Sequence, residues 1–407
     1  MRKRRVVITG IGAVSPFGWD LPCMAAGMEE GNCALSLLPE SARLDGMQVK
    51  VCGVAPEFNS KSIPREHRRA MSHMGIMAYV AASEALRTAG ITPDTPLAEA
   101  YRGMGSCIAS TTVSPNTLED FFRQYLGGKM DTVRSTVFFK VMGHAVPSNI
   151  NVTFGLSGRC ISPAAACASG LQAIGLAYEQ IAFGRAGMML CGGVEEYHAL
   201  LSATFDRIGA ASHNASPDLA ARPFDSGRDG IVCGEGAGIF LLEEYESARE
   251  RGANIIAEIA GFGTNTAPSS IVFPDSGAIE GCMRMALEDA AIAPEEVQLV
   301  NAHATATESG DIAEGLAIER LFGSHTPVNS LKGYMGHCMA ASGSLELAAA
   351  ITAARDGFVH GTRNLTDIDP RCGKLMLDAE HKKSQVSCLL KNSFGLGGVN
   401  ASLVVKL

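Results

Sequence analysis

Three short patterns occur twice in this chain, each time in the same order. Ile8-Thr9-Gly10-Ile11-Gly12 returns as Ile259-Ala260-Gly261-Phe262-Gly263. Ala85-Leu86, followed by Ala89-Gly90-Ile91 and Pro93, returns as Ala286-Leu287, followed by Ala290-Ala291-Ile292 and Pro294. The glycine-rich run Cys233–Gly238 and the apolar stretch to Leu242 return as Phe394–Gly398 and Ser402–Val405. Ordered self-similarity marks a duplicated unit. It restricts the fold to two similar α/β halves, expected over residues 1–250 and 251–407, and a chain of 407 residues is long enough for both.

Within the first half, Arg5–Thr9 is expected as a strand running into a tight turn at Gly10-Ile11-Gly12. The third glycine of a dinucleotide fingerprint is missing after it. Met71–Ala89 has helical spacing and closes at Gly90 and Pro93. Gly105–Ala109 and Met188–Cys191 read as buried strands, Ser114–Leu126 as a helix, and Thr136–Ile150 as a helical stretch interrupted at Pro147. Strands alternating with helices favour mixed or parallel sheets covered by helices.

The chain has 46% hydrophobic residues, 45 glycines and 19% charged residues, which suits a large core with many tight turns. A net charge of −8 argues against nucleic acid or an anionic membrane as a partner. The twelve cysteines form no CxxC pair and no zinc spacing, so free thiols in a reducing compartment are expected. No stretch holds eighteen uninterrupted apolar residues. The expectation is a soluble cytoplasmic protein with no membrane insertion and no metal.

The stretch Ile161–Gly170 sets Cys167 among small residues, and an apolar series follows at Leu171, Ile174, Ala177, Tyr178 and Ile181. That series is one face of a helix, ending at Gly184. Cys167 is expected at the helix's N-terminal end, with Cys160 and Ile161 as the end of the strand before it or its exit loop. Free N–H groups and the positive end of the macrodipole there favour a thiolate and suit an oxyanion. An inert buried thiol is the alternative that this segment alone leaves open.

The second half supplies three further candidates. His303 follows the short apolar strand Leu299–Val300 and precedes Thr305 and Thr307. Lys332 and His337 share a glycine-containing loop ahead of a helix at Gly343–Ala354. Asn392–Gly398 is a glycine-rich loop able to present N–H groups. A helix-end thiol with two histidines and such a loop suits acyl transfer through a thioester. Two neutral imidazoles donating to one carbonyl oxygen would stabilise the enolate left when a malonyl unit loses its carboxylate.

Ala164–Gly170, His303–Thr307, Lys332 with Gly336-His337, and Asn392–Gly398 together resemble the β-ketoacyl-(acyl carrier protein) synthases. These are the elongating condensing enzymes of fatty acid and type II polyketide synthesis. Supporting stretches are Val7–Gly12, Arg222–Asp225, Arg228–Gly230 and Gly234–Gly238, so the likeness runs through essentially the whole chain. It implies a thiolase-like α/β fold of two halves in five layers, α/β/α/β/α, and a dimer with a second copy or a related ketosynthase subunit. It implies decarboxylative Claisen condensation with an acyl carrier protein as partner. No cofactor is implied beyond the phosphopantetheine that arrives on the carrier.

Position by position, the resemblance makes Cys167 the acyl acceptor and His303 and His337 the pair that supports decarboxylation. Lys332 is the lysine that supports the site, with Glu346 as its partner, and Asp311 and Glu314 stand behind His303. The N–H groups of Cys167 and Leu396 would form the oxyanion hole. Thr305 and Thr307 would bind the pantetheine arm, and Phe394 and Phe205 the substrate. Phe205-Asp206 with Gly209-Ala210 and Ser212 looks most like the type I synthases. Ala109–Pro115 is expected to reach the acyl pocket, and Arg65, Arg68 and Arg69 to dock an acidic carrier.

Four departures stand out: Ala304 for glycine, Met335 for threonine, Ala165 and Ala168 where threonine or serine is common, and Leu396 for a gating phenylalanine. The competing readings are a chain-length partner subunit, which would lack the cysteine, and a degradative thiolase, which would want a second cysteine where Phe394 stands.

Overall fold

The glycines of the first repeat build a strand, not a turn. In the computed structural model, which describes residues 3–94 and 97–407, Val6–Val14 is one continuous buried strand. A Cβ at Gly10 would stand 1.9 Å from the Ala85 carbonyl oxygen, and one at Gly12 would stand 2.0 Å from that of Ala81. Both carbonyls belong to the helix His73–Thr88. Without side chains at these two positions, the helix backbone lies directly on the strand. The second copy repeats the contact, with Gly261 against the Ala286 carbonyl at 2.3 Å and Gly263 against that of Cys282 at 2.2 Å. Ala85 and Ala286 are equivalent in the repeat, so two of the three echoes are the two sides of one packing contact.

Eleven strands form the main sheet. They are β1 (Val6–Val14), β2 (Gly105–Ala109), β3 (Cys160–Ile161), β4 (Met188–Glu195), β5 (Gly236–Glu244), β6 (Ala257–Thr266), β7 (Leu299–Asn301), β8 (Pro327–Asn329), β9 (Met376–Leu377), β10 (Cys388–Phe394) and β11 (Val399–Lys406). The order across the sheet is β9-β8-β7-β10-β11-β6-β1-β5-β4-β2-β3. Five strands of each half match about the β1–β6 junction, where Val6–Ile8 pairs antiparallel with Ala257–Ile259, and β9 is an extra edge strand of the second half. In each half two antiparallel pairings lead outward to parallel ones.

The covering helices are α1 (His73–Thr88), α2 (Pro115–Leu126), α3 (Ala145–Phe154), α4 (Ser169–Ala182), α5 (Ser276–Ala290), α6 (Glu308–Phe322) and α7 (Ser342–Arg355). Period-two alternation sorts the sheet side chains into layers. Phe240 and Leu242 of β5 and Leu403 and Val405 of β11 pack with α4 and α7 in a central core. Ile239 and Leu241 face α1 and α3 on one outside, while Leu390 and Val404 face α5 and α6 on the other. The result is the expected five layers. Helix α7, sandwiched in the middle, is buried at almost every position and has no polar face.

Two local expectations are corrected. β4 runs through Gly192-Gly193 to Glu195 instead of ending at Cys191, because Gly193 packs against the Ala340 carbonyl where a Cβ would come within 2.1 Å. The break in Thr136–Ile150 falls at Met142–His144, between a short helix Val137–Val141 and α3. Pro147 sits in the first turn of α3, where its missing N–H has no helical partner to lose.

Candidate active site

Cys167 sits in the connection from β3 to α4, two residues ahead of the first helical position. Ala166 has φ +48, a left-handed elbow that turns the chain sharply at the nucleophile. Small side chains make that elbow possible. Gly170 lets α4 approach the Ala340 carbonyl, where a Cβ would come within 2.2 Å. A Cβ at Gly395 would come within 2.5 Å of the Ala165 carbonyl, so the C-terminal glycine loop lies flat against the cysteine. The Ser169 hydroxyl accepts the Ala165 N–H at 2.8 Å and donates to the Ala166 carbonyl at 2.6 Å, locking the turn.

His303 follows β7, and its loop is held by carboxylates of α6. Glu314 accepts the N–H groups of His303 and Ala304 at 2.8 and 2.7 Å, and Asp311 accepts that of Ala306 at 3.1 Å. Ala306 is itself left-handed, with φ +66. His337 lies between β8 and α7, after a left-handed Gly336. Its Nδ1 lies 2.8 Å from the Ser342 hydroxyl, while its Nε2 is buried without a partner. The two imidazoles stand edge to face with centroids 5.2 Å apart, and the Phe394 ring is edge-on to His303 at 5.9 Å.

The Cys167 sulfur and one nitrogen from each imidazole lie within 4.8 Å of one another. Among the described residues this is the one histidine, cysteine and carboxylate grouping close enough to hold a metal ion. The three residues line a narrow cleft of about 140 Å³, together with Phe205, Thr305, Thr307, Phe394 and Leu396. The hydroxyls of Thr305 and Thr307 are 3.0 Å apart on its wall.

The charge state of the sulfur differs from the expectation. Burial pushes the Cys167 thiol up to about 12, against the opposing pull of Lys332 and of the Cys167 and Leu396 N–H groups. The resting form is the thiol, because complete desolvation outweighs the helix end and the two N–H groups. Burial and the nearby lysines hold both histidines well below their ordinary range, so both are neutral. Lys332 donates to Glu346 at 2.6 Å with both side chains buried.

Other expected residues lie elsewhere. Arg65, Arg68 and Arg69, on and just after a short helix Arg65–Arg68, line a separate groove with Arg134 and Lys140. Ala109–Pro115 does not line the Cys167 cleft. Thr111 instead donates to the buried Glu195, whose carboxyl lifts the Cys167 thiol further. Sequence reasoning missed Glu195, Ser342, Arg134, Lys140, and Lys391, which pairs with Glu346 from the side opposite Lys332.

The chain matches the family described as "Beta-ketoacyl synthase, N-terminal domain" over residues 3–248 and "Beta-ketoacyl synthase, C-terminal domain" over residues 256–366. It is 34% identical over 411 residues to Nodulation protein E of Rhizobium leguminosarum bv. trifolii, covering 99% of each chain. It is 31% identical over 411 residues to 3-oxoacyl-[acyl-carrier-protein] synthase 1 of Escherichia coli (strain K12), again covering 99% of each. The solved structure of a β-ketoacyl synthase from Burkholderia phymatum STM815 is 36% identical and superposes with a TM-score of 0.94 over 99% of both chains. With two family matches spanning most of its length and a cysteine facing two histidines in one cleft, this chain belongs to the β-ketoacyl synthase family.

Proposed function

We propose that this acyltransferase condenses an acyl thioester, held on Cys167, with malonyl-acyl carrier protein, elongating a fatty acid or a type II polyketide chain. The observation that carries this reading is the convergence of one thiol and two neutral imidazoles in a single cleft.

In the first half-reaction the Cys167 sulfur attacks the carrier thioester as an imidazole takes its proton. The proton then leaves on the pantetheine thiol. In the second, the carbon–carboxylate bond of the malonyl unit breaks, carbon dioxide departs, and the electron pair moves onto the thioester oxygen. Two uncharged imidazoles can donate to that oxygen; imidazolium would be costly in so dry a site. In the tautomer in which the Ser342 hydroxyl donates to Nδ1 of His337, the ring proton sits on the otherwise unpartnered Nε2 and is free for that oxygen. The carbanion attacks the acyl carbonyl on Cys167, whose oxygen is received by the Cys167 and Leu396 N–H groups. The carbon–sulfur bond breaks, and the freed sulfur regains a proton from solvent.

Thr305 and Thr307 hold the pantetheine arm, Phe205 and Phe394 shape the substrate channel, and Asp311, Glu314 and Glu346 hold the backbone and Lys332 behind it. Arg65, Arg68 and Arg69 receive an acidic face of the carrier, helped by Arg134 and Lys140 across the same groove. Phe122, Tyr125 and Leu126 of α2, with Phe138 and Phe139, form an exposed apolar surface that suits a dimer with a second copy or a related subunit. The duplicated units of this reading are residues 1–250 and 251–407. All twelve cysteines are free and no described helix is long and apolar enough to cross a membrane, which fits a cytoplasmic location. An intact cysteine and histidine pair speaks against a purely accessory chain-length subunit.

The test is elongation of an acyl-carrier substrate by malonyl-carrier, followed through the β-ketoacyl product. Cys167→Ala is expected to abolish condensation while still releasing carbon dioxide from malonyl-carrier. Elongation by that variant at the native rate would overturn the reading.

A further inference from the structure

Three consecutive side chains of β10 grip three parts of the site. Lys391 pairs with Glu346 of α7, and its ammonium also reaches the Ala302 carbonyl at 3.3 Å. Asn392, on the opposite face of the strand, donates to Glu314 at 3.1 Å, and Glu314 holds the N–H groups of His303 and Ala304. The Ser393 hydroxyl donates to the Cys167 carbonyl at 2.9 Å. Strand alternation explains the division, with residues 391 and 393 facing the central helices and 392 facing α6.

Glu346 lies between two ammonium groups, Lys332 on one oxygen and Lys391 on the other, and all three side chains are at most 1% exposed. Glu314 also faces Lys391, so two cations and two carboxylates are gathered in a dry interior. Such a cluster does not serve stability, because apolar side chains of similar volume fill a core at less cost. It does lie beside the cleft where a thiolate, an enolate and a tetrahedral oxyanion each develop negative charge in turn.

Resting on the condensing-enzyme reading, we infer that Lys391 is a positioning residue for His303. Its ammonium clamps the Ala302 carbonyl and, together with Lys332, fixes Glu346, so that the imidazole is set against the malonyl carbonyl. The groups facing Lys391 are Glu346 on α7, Lys332 on the single-turn helix Lys332–Met335, Glu314 on α6, and the neutral His303 and His337. Burial lowers Lys391 to about 8, so its ammonium is present at neutral pH and is lost as pH rises through that value.

The experiment compares malonyl-carrier decarboxylation with Cys167 acylation in the native protein, Lys391→Met and Lys391→Ala. For Lys391→Met the expected result is a fall of about 100-fold in decarboxylation kcat, the scale of a misplaced catalytic group, with KM nearly unchanged. Acylation should fall less, and the alkaline limb of native decarboxylation near pH 8 should disappear. Ammonium or methylammonium should partly rescue Lys391→Ala, and the bulkier tetramethylammonium should not. Native kcat with an unchanged alkaline limb in Lys391→Met would overturn the inference. So would equal loss of both steps without amine rescue. If neither variant folds, the native profile decides, with a limb near pH 8 in support and a flat response to pH 10 against. A native protein inactive in both steps at pH 7 would remove the condensing-enzyme reading itself.

Discussion

Cys167 and His337 occupy matching stations in the two halves of the fold. Each lies in the connection from a short parallel strand, β3 or β8, into one of the two central helices, α4 or α7. The halves are joined through β1 and β6, so duplication brings the N-terminal ends of both central helices to one cleft. One copy contributes the nucleophile and the other contributes an imidazole. His303, on the loop after β7, completes the set from the second half.

The packing of strand glycines on helix carbonyls predicts a sharp contrast among glycine substitutions. Gly10→Ala and Gly261→Ala each drive a methyl into a helix backbone that has no room to yield. A loss of about 3 kcal/mol or more is expected for each. Gly103→Ala, which meets nothing within 4 Å, should stay within about 0.5 kcal/mol. Thermal unfolding of the three variants checks this, and equal melting temperatures would contradict it.

The buried thiol predicts slow, base-dependent alkylation. Raising a thiol toward 12 keeps it protonated at neutral pH, and only the thiolate reacts. The rate of Cys167 modification by iodoacetamide in the substrate-free protein should therefore climb with pH through and beyond 9. A plateau below pH 8 would show a preformed thiolate instead.

Each imidazole is assigned a share of decarboxylation. Replacing His303 or His337 with Ala should lower malonyl-carrier decarboxylation by about 10²–10⁴-fold. Ser342→Ala, which frees Nδ1 of His337, should lower it by a smaller factor without changing KM. Carbon dioxide release measured on the purified variants decides the matter. Native rates in either histidine variant would contradict the assignment.

The basic groove predicts a salt-sensitive partner contact. Arg65→Glu combined with Arg68→Glu should raise KM for carrier-linked substrates and flatten its dependence on ionic strength. Turnover of a short pantetheine thioester that lacks the carrier should be unaffected. Equal impairment of both substrates would place these arginines in the fold rather than at a docking surface.

The parts of the molecule that were legible in sequence are those fixed by local chemistry. The apolar series from Leu171 to Ile181 announced α4 and put Cys167 at its N-terminal end, while the left-handed elbow at Ala166 showed only in the fold. The histidines stood out because they followed short apolar strands. What escaped notice depended on tertiary packing. Gly10 and Gly12 read as a turn because a glycine pair usually supplies backbone freedom; here it supplies closeness to α1. Cys167 read as a thiolate because the helix end is local, whereas the burial that opposes it is set by the whole fold. Lys391 carried a signal that went unused: a lysine directly after Leu389-Leu390 in a strand that is apolar on both sides needs a buried partner. Arg134 and Lys140 gave none, since they join Arg65 only once α2 and the helix Val137–Val141 have folded across the same groove.

The most direct test of the account is intact-protein mass spectrometry after incubation with an acyl-carrier substrate, followed by peptide mapping. The account predicts a mass gain of one acyl group, located on the peptide that carries Cys167 and lost in Cys167→Ala. Acyl mass on another residue, or none in a correctly folded protein, would contradict it.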